Sequence, residues 1–333
     1  MDPVTWLTLI ISIFIIFING SVCYLFVSQA ALKIKASNNL LHSLSVADFL
    51  SGLTIIIHIL MIQGVINTEP LAVRLAADFF TTFTTTTVIV HLVVITVDRA
   101  ISLFQALHYV NLVTKSFIKR VIVCIWLFPL LTTLVQLAYL YPLFQGEGNI
   151  SMKDEDHIIK CEMWYSILIF IIYMATPFLS MGILFMAMFR EITKLLRRTP
   201  SANASNRQQK RVLCIFGCMY ICFVILALPY FALRLYIDIQ AALDNEININ
   251  ETVYETLYVF KTLTSLCNPL LYTLLNREIR SIGRLWFSRR RQCFRKTLEN
   301  ISTAPMLLRS RGSADSGIHT TEIMMDQSVG DIS

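Results

Sequence analysis

Thr252-Val-Tyr-Glu-Thr-Leu-Tyr-Val-Phe-Lys-Thr-Leu-Thr-Ser-Leu-Cys-Asn-Pro-Leu-Leu-Tyr272 is a largely apolar run whose last five residues are Asn268-Pro-Leu-Leu-Tyr272. As a helix rising about 1.5 Å per residue, about 20 such residues cross the hydrocarbon core of a bilayer. Pro269 removes a backbone donor and clashes one turn back, so the helix bends there. Asn268 beside it is placed to satisfy backbone groups that the bend frees, and Tyr272 follows one turn later on the same side. After Leu275 the character changes. Ile279, Ile282, Leu285 and Trp286 recur at helical spacing with Arg277, Arg280 and Arg284 between them. That pattern predicts a basic amphipathic helix, residues 276–293, lying along a membrane surface.

The whole chain agrees. It is 55% hydrophobic and only 15% charged, against about 25% charged in soluble domains. Seven apolar runs follow one another: 6–30, 39–66, 71–104, 117–143, 163–189, 212–239 and 253–275. The first has no basic segment before it and is too long for a cleaved leader, so it reads as a signal anchor. Lys33, Lys35, Lys115, Lys119, Arg120, Arg190, Lys194, Arg197 and Arg198 fall in alternate gaps. Glu69, Glu147, Asp154, Glu155, Asp156, Glu162, Asp244, Glu246 and Glu251 fall in the others. The positive-inside rule therefore puts the N-terminus outside and the C-terminus in the cytoplasm. The expected organisation is a short outer segment 1–5, a seven-helix bundle 6–275, the juxtamembrane helix 276–293 and a disordered tail 294–333.

The formal charge of +6 reflects this asymmetry, and nucleic acid is not an expected partner. Most cysteines fall inside spans. Cys161 alone faces the oxidising side, so no disulfide framework is expected. No metal-ligand spacing, phosphate loop or nucleophile–base set is visible, so neither metal nor cofactor is expected and the chain does not read as an enzyme. No repeat or ring of charge suggests a transporter or channel.

Within the spans the polar residues stand out. Asp48 in span two is costly at bilayer depth and needs interior partners, for which Asn19 and Asn268 are the natural candidates. Span three carries Asp78, Thr81, Thr82, Thr84 to Thr87 and His91, and closes with Asp98-Arg99. There the carboxylate can hold the arginine in a crevice of the bundle, or the arginine can snorkel to the lipid headgroups. Span four has Trp126, span five Pro177, and span six Phe223 with a proline bend at Pro229. Sequons at Asn149-Ile-Ser151 and Asn250-Glu-Thr252 lie on the outer side. Ser313, Ser316 and Thr320 in the tail are plausible kinase sites.

Taken in order, Asn19, Leu44-Ser-Val-Ala-Asp48, Asp98-Arg99, Trp126, Pro177, Phe223 with Pro229, and Asn268-Pro-Leu-Leu-Tyr272 resemble the motifs of rhodopsin-like (class A) G-protein-coupled receptors, one per helix. The resemblance covers about residues 5 to 295. It implies an all-α membrane protein at the plasma membrane, and a ligand seated among helices three, five, six and seven. A switch built from Asp98, Arg99, Phe223, Pro229, Asn268, Pro269 and Tyr272 would open a cytoplasmic cleft for a heterotrimeric G protein. It also implies a buried network of Asn19, Asp48, Ser265 and Asn268, palmitoylation at Cys293, and arrestin and kinases at the tail, with anionic lipid along the basic inner surface. Family members often hold sodium beside the helix-two aspartate. Asp48, Asn268 and Ser265 match that site, whereas Val88 stands where a hydroxyl is usual.

By the same resemblance the ligand cavity is lined by His58, Thr81, Thr85, Tyr230, Phe231, Arg234, Tyr258 and Thr262, with Asp78 and Lys261 as further charged candidates. Thr81 occupies the position where amine receptors carry an aspartate. Asp78, one turn above, either substitutes for it or pairs with Arg74 or Lys261. Several usual residues are replaced: Ala227 stands for the helix-six tryptophan, Phe185 for the helix-five tyrosine, and Ala100 for the tyrosine after Arg99. The cysteine expected in helix three near Arg74 is missing, which leaves Cys161 unpaired. With a short outer segment and acidic loops, the expected ligand is small or a short peptide, and cationic. The alternatives are an opsin-like photoreceptor using Lys261, and a non-signalling seven-helix protein.

Overall fold

The computed structural model describes residues 3–66, 71–145, 152–198, 213–215, 217–245 and 249–275, with residues 281, 288 and 292 besides. Its helices are α1 (Pro3–Ser28), α2 (Asn38–Ile62), α3 (Leu71–Phe104), the short α4 (Tyr109–Leu112), α5 (Lys115–Gln145), α6 (Met152–Phe170), α7 (Thr176–Arg198), α8 (Leu228–Ala242) and α9 (Glu251–Leu275). A π turn, Ile171–Ala175, joins α6 to α7, so that they form one continuous span. A second π turn, Phe223–Ala227, leads into α8 from the helical residues that begin at Leu213. Each π turn ends two residues before a proline, Pro177 or Pro229. A widened turn relieves the clash between the proline ring and the carbonyl behind it, and leaves a ready hinge.

Six of these spans are long and apolar enough to cross a bilayer by length and composition. The seventh, α9, carries Glu251, Glu255, Lys261 and Asn268 among its apolar residues, and polarity alone separates it from the rest. It packs lengthwise on α1 and against α2, α8 and the second π turn, closing a ring begun by α1 on α2, α2 on α3, and α3 on α5 and α7.

Burial runs opposite to soluble logic. In α1, Trp6, Phe14, Phe17 and Tyr24 face outward, while Thr8, Ser12 and Asn19 are buried with Ile11, Ile15, Val22 and Phe26. Lipid accepts the large apolar side chains, so small and polar residues collect at helix contacts. At Gly52 on α2, an added Cβ would lie 2.8 Å from Ile16 and 3.3 Å from the Ser12 carbonyl. Gly64, at φ 69°, ends α2 with its N–H on the Met61 carbonyl, as a left-handed cap requires.

Two expectations need correction. Span five does not start near Met163: the helix begins at Met152 and carries Asp156, Cys161 and Glu162 in regular structure. Asp78 and Lys261 are not ion-paired, while the side chain of Arg74 lies outside the described residues. The chain divides into two compact units, Met1–Arg280 and Ser281–Ser333, and the bundle belongs to the first. In the second, residues 281, 288 and 292 are helical; the remainder of segment 276–293, including Cys293, lies outside the described residues, as do Asn149 and the side chain of Tyr272.

Candidate functional site

Three polar centres are stacked along the bundle, and α3 contributes residues to the first and the third. The first is a cavity of about 580 Å³ near the end where α1 begins. Nine of the sequence-predicted residues line it: His58 from α2, Asp78, Thr81 and Thr85 from α3, Tyr230, Phe231 and Arg234 from α8, and Tyr258 and Lys261 from α9. Thr262 is the exception. It is 2% exposed, donates to the Tyr258 carbonyl at 2.9 Å, and lines only a smaller cavity beneath. The helical register turns it away from the larger space, one residue on from Lys261.

Sequence reasoning missed the α6 wall and the top of α9. Glu162, Tyr165, Ser166, Tyr254, Glu251 and Glu255 all line the cavity. Once the helix is known to start at Met152, Glu162, Ser166 and Ile169 fall at helical spacing on one side. Arg234 is held between two carboxylates. Its Nε lies 3.3 Å from Asp238 Oδ2, and an Nη lies 3.9 Å from Glu162 Oε1. Two carboxylates, from α6 and α8, thus flank this one guanidinium, and each also accepts a hydroxyl, Asp238 from Ser166 and Glu162 from Tyr139 of α5.

Lys261 is treated differently. It is 8% exposed, and its Nζ sits 5.4 Å from the ring centre of Tyr258 and 5.7 Å from that of Tyr230. Among the described residues no carboxylate comes within ion-pairing distance of it. The two aromatic faces offset part of the cost of holding an ammonium there. Tyr230 and Tyr254 are hydroxyl to hydroxyl at 3.3 Å, and Tyr258 lies beside His58, so these rings form a wall around the lysine.

The second centre lies at mid-depth. Asn268 donates from Nδ2 to both oxygens of Asp48, at 3.2 and 3.4 Å, and Ser265 is hydrogen-bonded to the same carboxylate. Asn19 does not reach Asp48. Its Nδ2 donates to the carbonyls of Ile15 and Ser265, which ties α1 to α9 through backbone. Pro269 leaves the residue four positions earlier without its usual donor, and that residue is Ser265, so Asn19 supplies the missing one. A cavity of about 20 Å³ adjoins, lined by Val88, Phe223, Thr262 and Ser265. Asp48 is not in its wall.

Beside it stands a second junction that the sequence did not announce. His91, fully buried, contacts the Thr87 carbonyl through Nδ1 at 2.8 Å and Ser43 Oγ through Nε2 at 2.9 Å. A carbonyl only accepts, so Nδ1 carries the proton, and in the neutral ring Nε2 accepts from the Ser43 hydroxyl. Ser43 in turn accepts from Trp126 Nε1 at 2.9 Å. One serine joins α2, α3 and α5.

The third centre is at the opposite end of α3. Arg99 Nη2 lies 2.7 Å from Asp98 Oδ2, and Tyr109 of α4 donates to Asp98 Oδ1 at 2.7 Å. Ser37, between α1 and α2, is hydrogen-bonded to the same tyrosine hydroxyl. Burial first, and then the Asp98 carboxylate, push the Tyr109 hydroxyl up to about 12, so it remains a donor at any ordinary pH. Ala100 packs with Met188 and Ile192 of α7 and with Leu213, where the bulkier usual tyrosine is absent. Phe223 is fully buried in the second π turn, and Pro229 follows it in α8.

A family model described as 7 transmembrane receptor (rhodopsin family) matches residues 18–272. The chain is also similar to the histamine H2 receptor of Cavia porcellus, 24% identical over 200 residues, 58% of this chain and 54% of that protein. The chain thus spans about half the length of this curated relative.

Proposed function

The chain belongs to the rhodopsin family of seven-transmembrane receptors, and from that premise we propose that it converts binding of a small or short-peptide, cationic extracellular ligand into activation of a heterotrimeric G protein. It is a multi-pass plasma-membrane receptor and not an enzyme. In this reading the N-terminus and the cavity face outward, and the Asp98–Arg99 end and the tail face the cytoplasm, as the distribution of basic residues requires. The observation that carries it is α3 itself. One rigid helix presents Asp78, Thr81 and Thr85 to the cavity and Asp98–Arg99 to the other face of the membrane.

Ligand binding favours whichever packing of the bundle holds the ligand better, and the difference in affinity sets the shift. The π turn before Pro229 is where the sixth span bends, and release of Arg99 from Asp98 uncovers the cleft. Asp78, Glu162, Glu251 and Glu255 in the cavity wall, against Arg234 and Lys261, favour a cation. The related receptor is named for histamine, an amine. Here Asp78, a turn from Thr81, takes the role of counter-ion. In the same reading Cys293 is palmitoylated, and Asn149 and Asn250 are glycosylated. Asn250 is exposed at the start of α9, its Oδ1 capping the Thr252 N–H at 2.9 Å. Arrestin and kinases engage the tail, and anionic lipid lies against the basic face.

The test is nucleotide exchange on a panel of purified G proteins by receptor in lipid nanodiscs, first without ligand, comparing wild type with Arg99→Ala. Exchange that depends on Arg99 supports the proposal. Equal and negligible exchange across the panel under every stimulus retires the signalling role.

A further inference from the structure

We infer that the ligand is a short basic peptide that enters the cavity with its free C-terminal carboxylate foremost and delivers that carboxylate to Lys261. The inference rests on the outward-facing cavity of the preceding subsection and specifies what fills it. The cavity has two cationic groups in its wall, and they are not equivalent. Arg234 is already balanced by Asp238 and Glu162 and is half exposed. Lys261 is buried, lines both the large cavity and the small one beneath it, and has two tyrosine faces beside it and, among the described residues, no carboxylate within ion-pairing distance. A buried ammonium that faces a cavity and lacks a carboxylate is completed by an anion brought from outside. Tyr258, beside it, has a buried hydroxyl with no hydrogen-bond partner, a second donor for the same anion.

A simple anion is the wrong occupant, because the entrance repels it. Asp78 and Glu251 are exposed carboxylates in the wall, one on α3 and one in the first turn of α9. Lys261 lies ten positions on from Glu251, which is about 15 Å along the helix axis. A free amino acid, whose two charges are joined through one carbon, cannot satisfy both ends. An extended chain covers about 3.3–3.6 Å per residue, so about four or five residues span the distance. The carboxylate then meets Lys261 while a basic side chain or the N-terminal ammonium meets the acidic mouth. The polar hydroxyls of Thr81, Thr82 and Thr85 lie along the α3 wall between, where a peptide backbone needs partners.

The experiment uses full-length receptor in nanodiscs and two synthetic pools of pentapeptides, each with arginine or lysine at the first position and mixed residues elsewhere. One pool ends in a free acid and the other in an amide. Melting temperature is read for wild type, Lys261→Met, Lys261→Arg and Glu251→Gln. The expected result is a rise with the acid pool alone. Lys261→Met abolishes that rise, Lys261→Arg retains it, and Glu251→Gln weakens it. For the best single acid, affinity falls by about thirtyfold or more on amidation or in Lys261→Met. Amides that bind as well as acids overturn the carboxylate reading and leave a cationic ligand standing. Acid preference that survives Lys261→Met overturns it as well. If neither pool stabilises wild type, the peptide assignment falls, while Arg99-dependent exchange tests the receptor role separately. Should Lys261→Met fail to fold, the wild-type comparison of acid with amide still decides.

Discussion

Replacing Tyr109 by phenylalanine removes one hydroxyl and almost nothing else, which makes it the cleanest probe of the inner switch. That hydroxyl donates to Asp98 Oδ1 at 2.7 Å, while the other carboxylate oxygen holds Arg99 at 2.7 Å. A hydrogen bond to a charged group contributes about 1.5–3 kcal/mol, and Tyr109 is only half-buried, so the lower figure, about 1.5 kcal/mol, applies. If the bond exists only while Arg99 rests on Asp98, its loss favours the open arrangement by up to about tenfold. Basal nucleotide exchange by Tyr109→Phe should therefore rise by several-fold to about tenfold, and the double variant with Arg99→Ala should show none of the rise. The bond also has a defined pH window. A hydroxyl raised to about 12 from its ordinary value of 10.0 stabilises fully below the ordinary value and loses that contribution as pH climbs through 12. The increment due to Tyr109 should accordingly be flat from about pH 6 to about pH 9. A Tyr109→Phe protein with normal melting and basal exchange unchanged within error would refute the reasoning, because Arg99 alone would then suffice to hold Asp98.

Three further variants test the packing beneath. Asn268→Ala strips Asp48 of its principal donor in a fully buried site, and should lower stability by about 2–3 kcal/mol, read as the chemical or thermal midpoint in detergent. Ser43→Ala leaves both Trp126 Nε1 and His91 Nε2 without a partner and should cost about 1–3 kcal/mol, with a change in tryptophan fluorescence that Ser45→Ala does not reproduce. At Gly217 an added methyl would sit 2.6 Å from the Phe185 ring, so Gly217→Ala should destabilise by about 1–3 kcal/mol, and Phe185→Leu in the same chain should restore most of it.

The spans were legible because lipid imposes a long apolar run on every crossing helix, and the α3 limits from sequence, 71–104, coincide with Leu71–Phe104. The first eleven residues of α6 were not legible, because hydrophobicity marks the part of a helix inside lipid and not the part beyond it. Met152 to Glu162 is polar, yet it stays helical where Tyr139 and Arg234 receive Glu162. The π turns were invisible for a different reason. Proline marks a bend, but how the turn before it opens depends on packing, and Pro269 lies inside an unbroken α9 while Pro177 and Pro229 follow π turns. In the cavity, the residues came from resemblance; their charge state did not. Whether Arg234 or Lys261 keeps an unmatched charge turns on Asp238, which sits one helical turn from Arg234 on the same face and was not singled out. Tyr109 escaped because a tyrosine in a connecting segment carries no periodicity that would aim it at Asp98.

The distribution of directional and non-directional contacts says which part of the bundle is free to move. Polar ties fasten α1 to α9 through Asn19, α2 to α9 through Asp48 and Asn268, and α2 to α3 and α5 through Ser43. Spans five and six are fastened to each other near the cavity, where Ser166 and Glu162 of α6 reach Asp238 and Arg234 of α8. At the Arg99 end they meet α3 through Ala100, Met188, Ile192 and Leu213, which are apolar and interchangeable in register. Hydrogen bonds fix geometry, whereas methyl contacts of this kind re-form at small cost after a shift of an ångström or two. Motion about the π turn before Pro229 therefore separates mainly apolar surface below it; among the described residues, the bond from the Tyr220 hydroxyl to the Phe178 carbonyl, at 3.3 Å, is a polar tie it must stretch. A ligand that pulls on the Arg234 cluster acts on the cavity side of that same hinge.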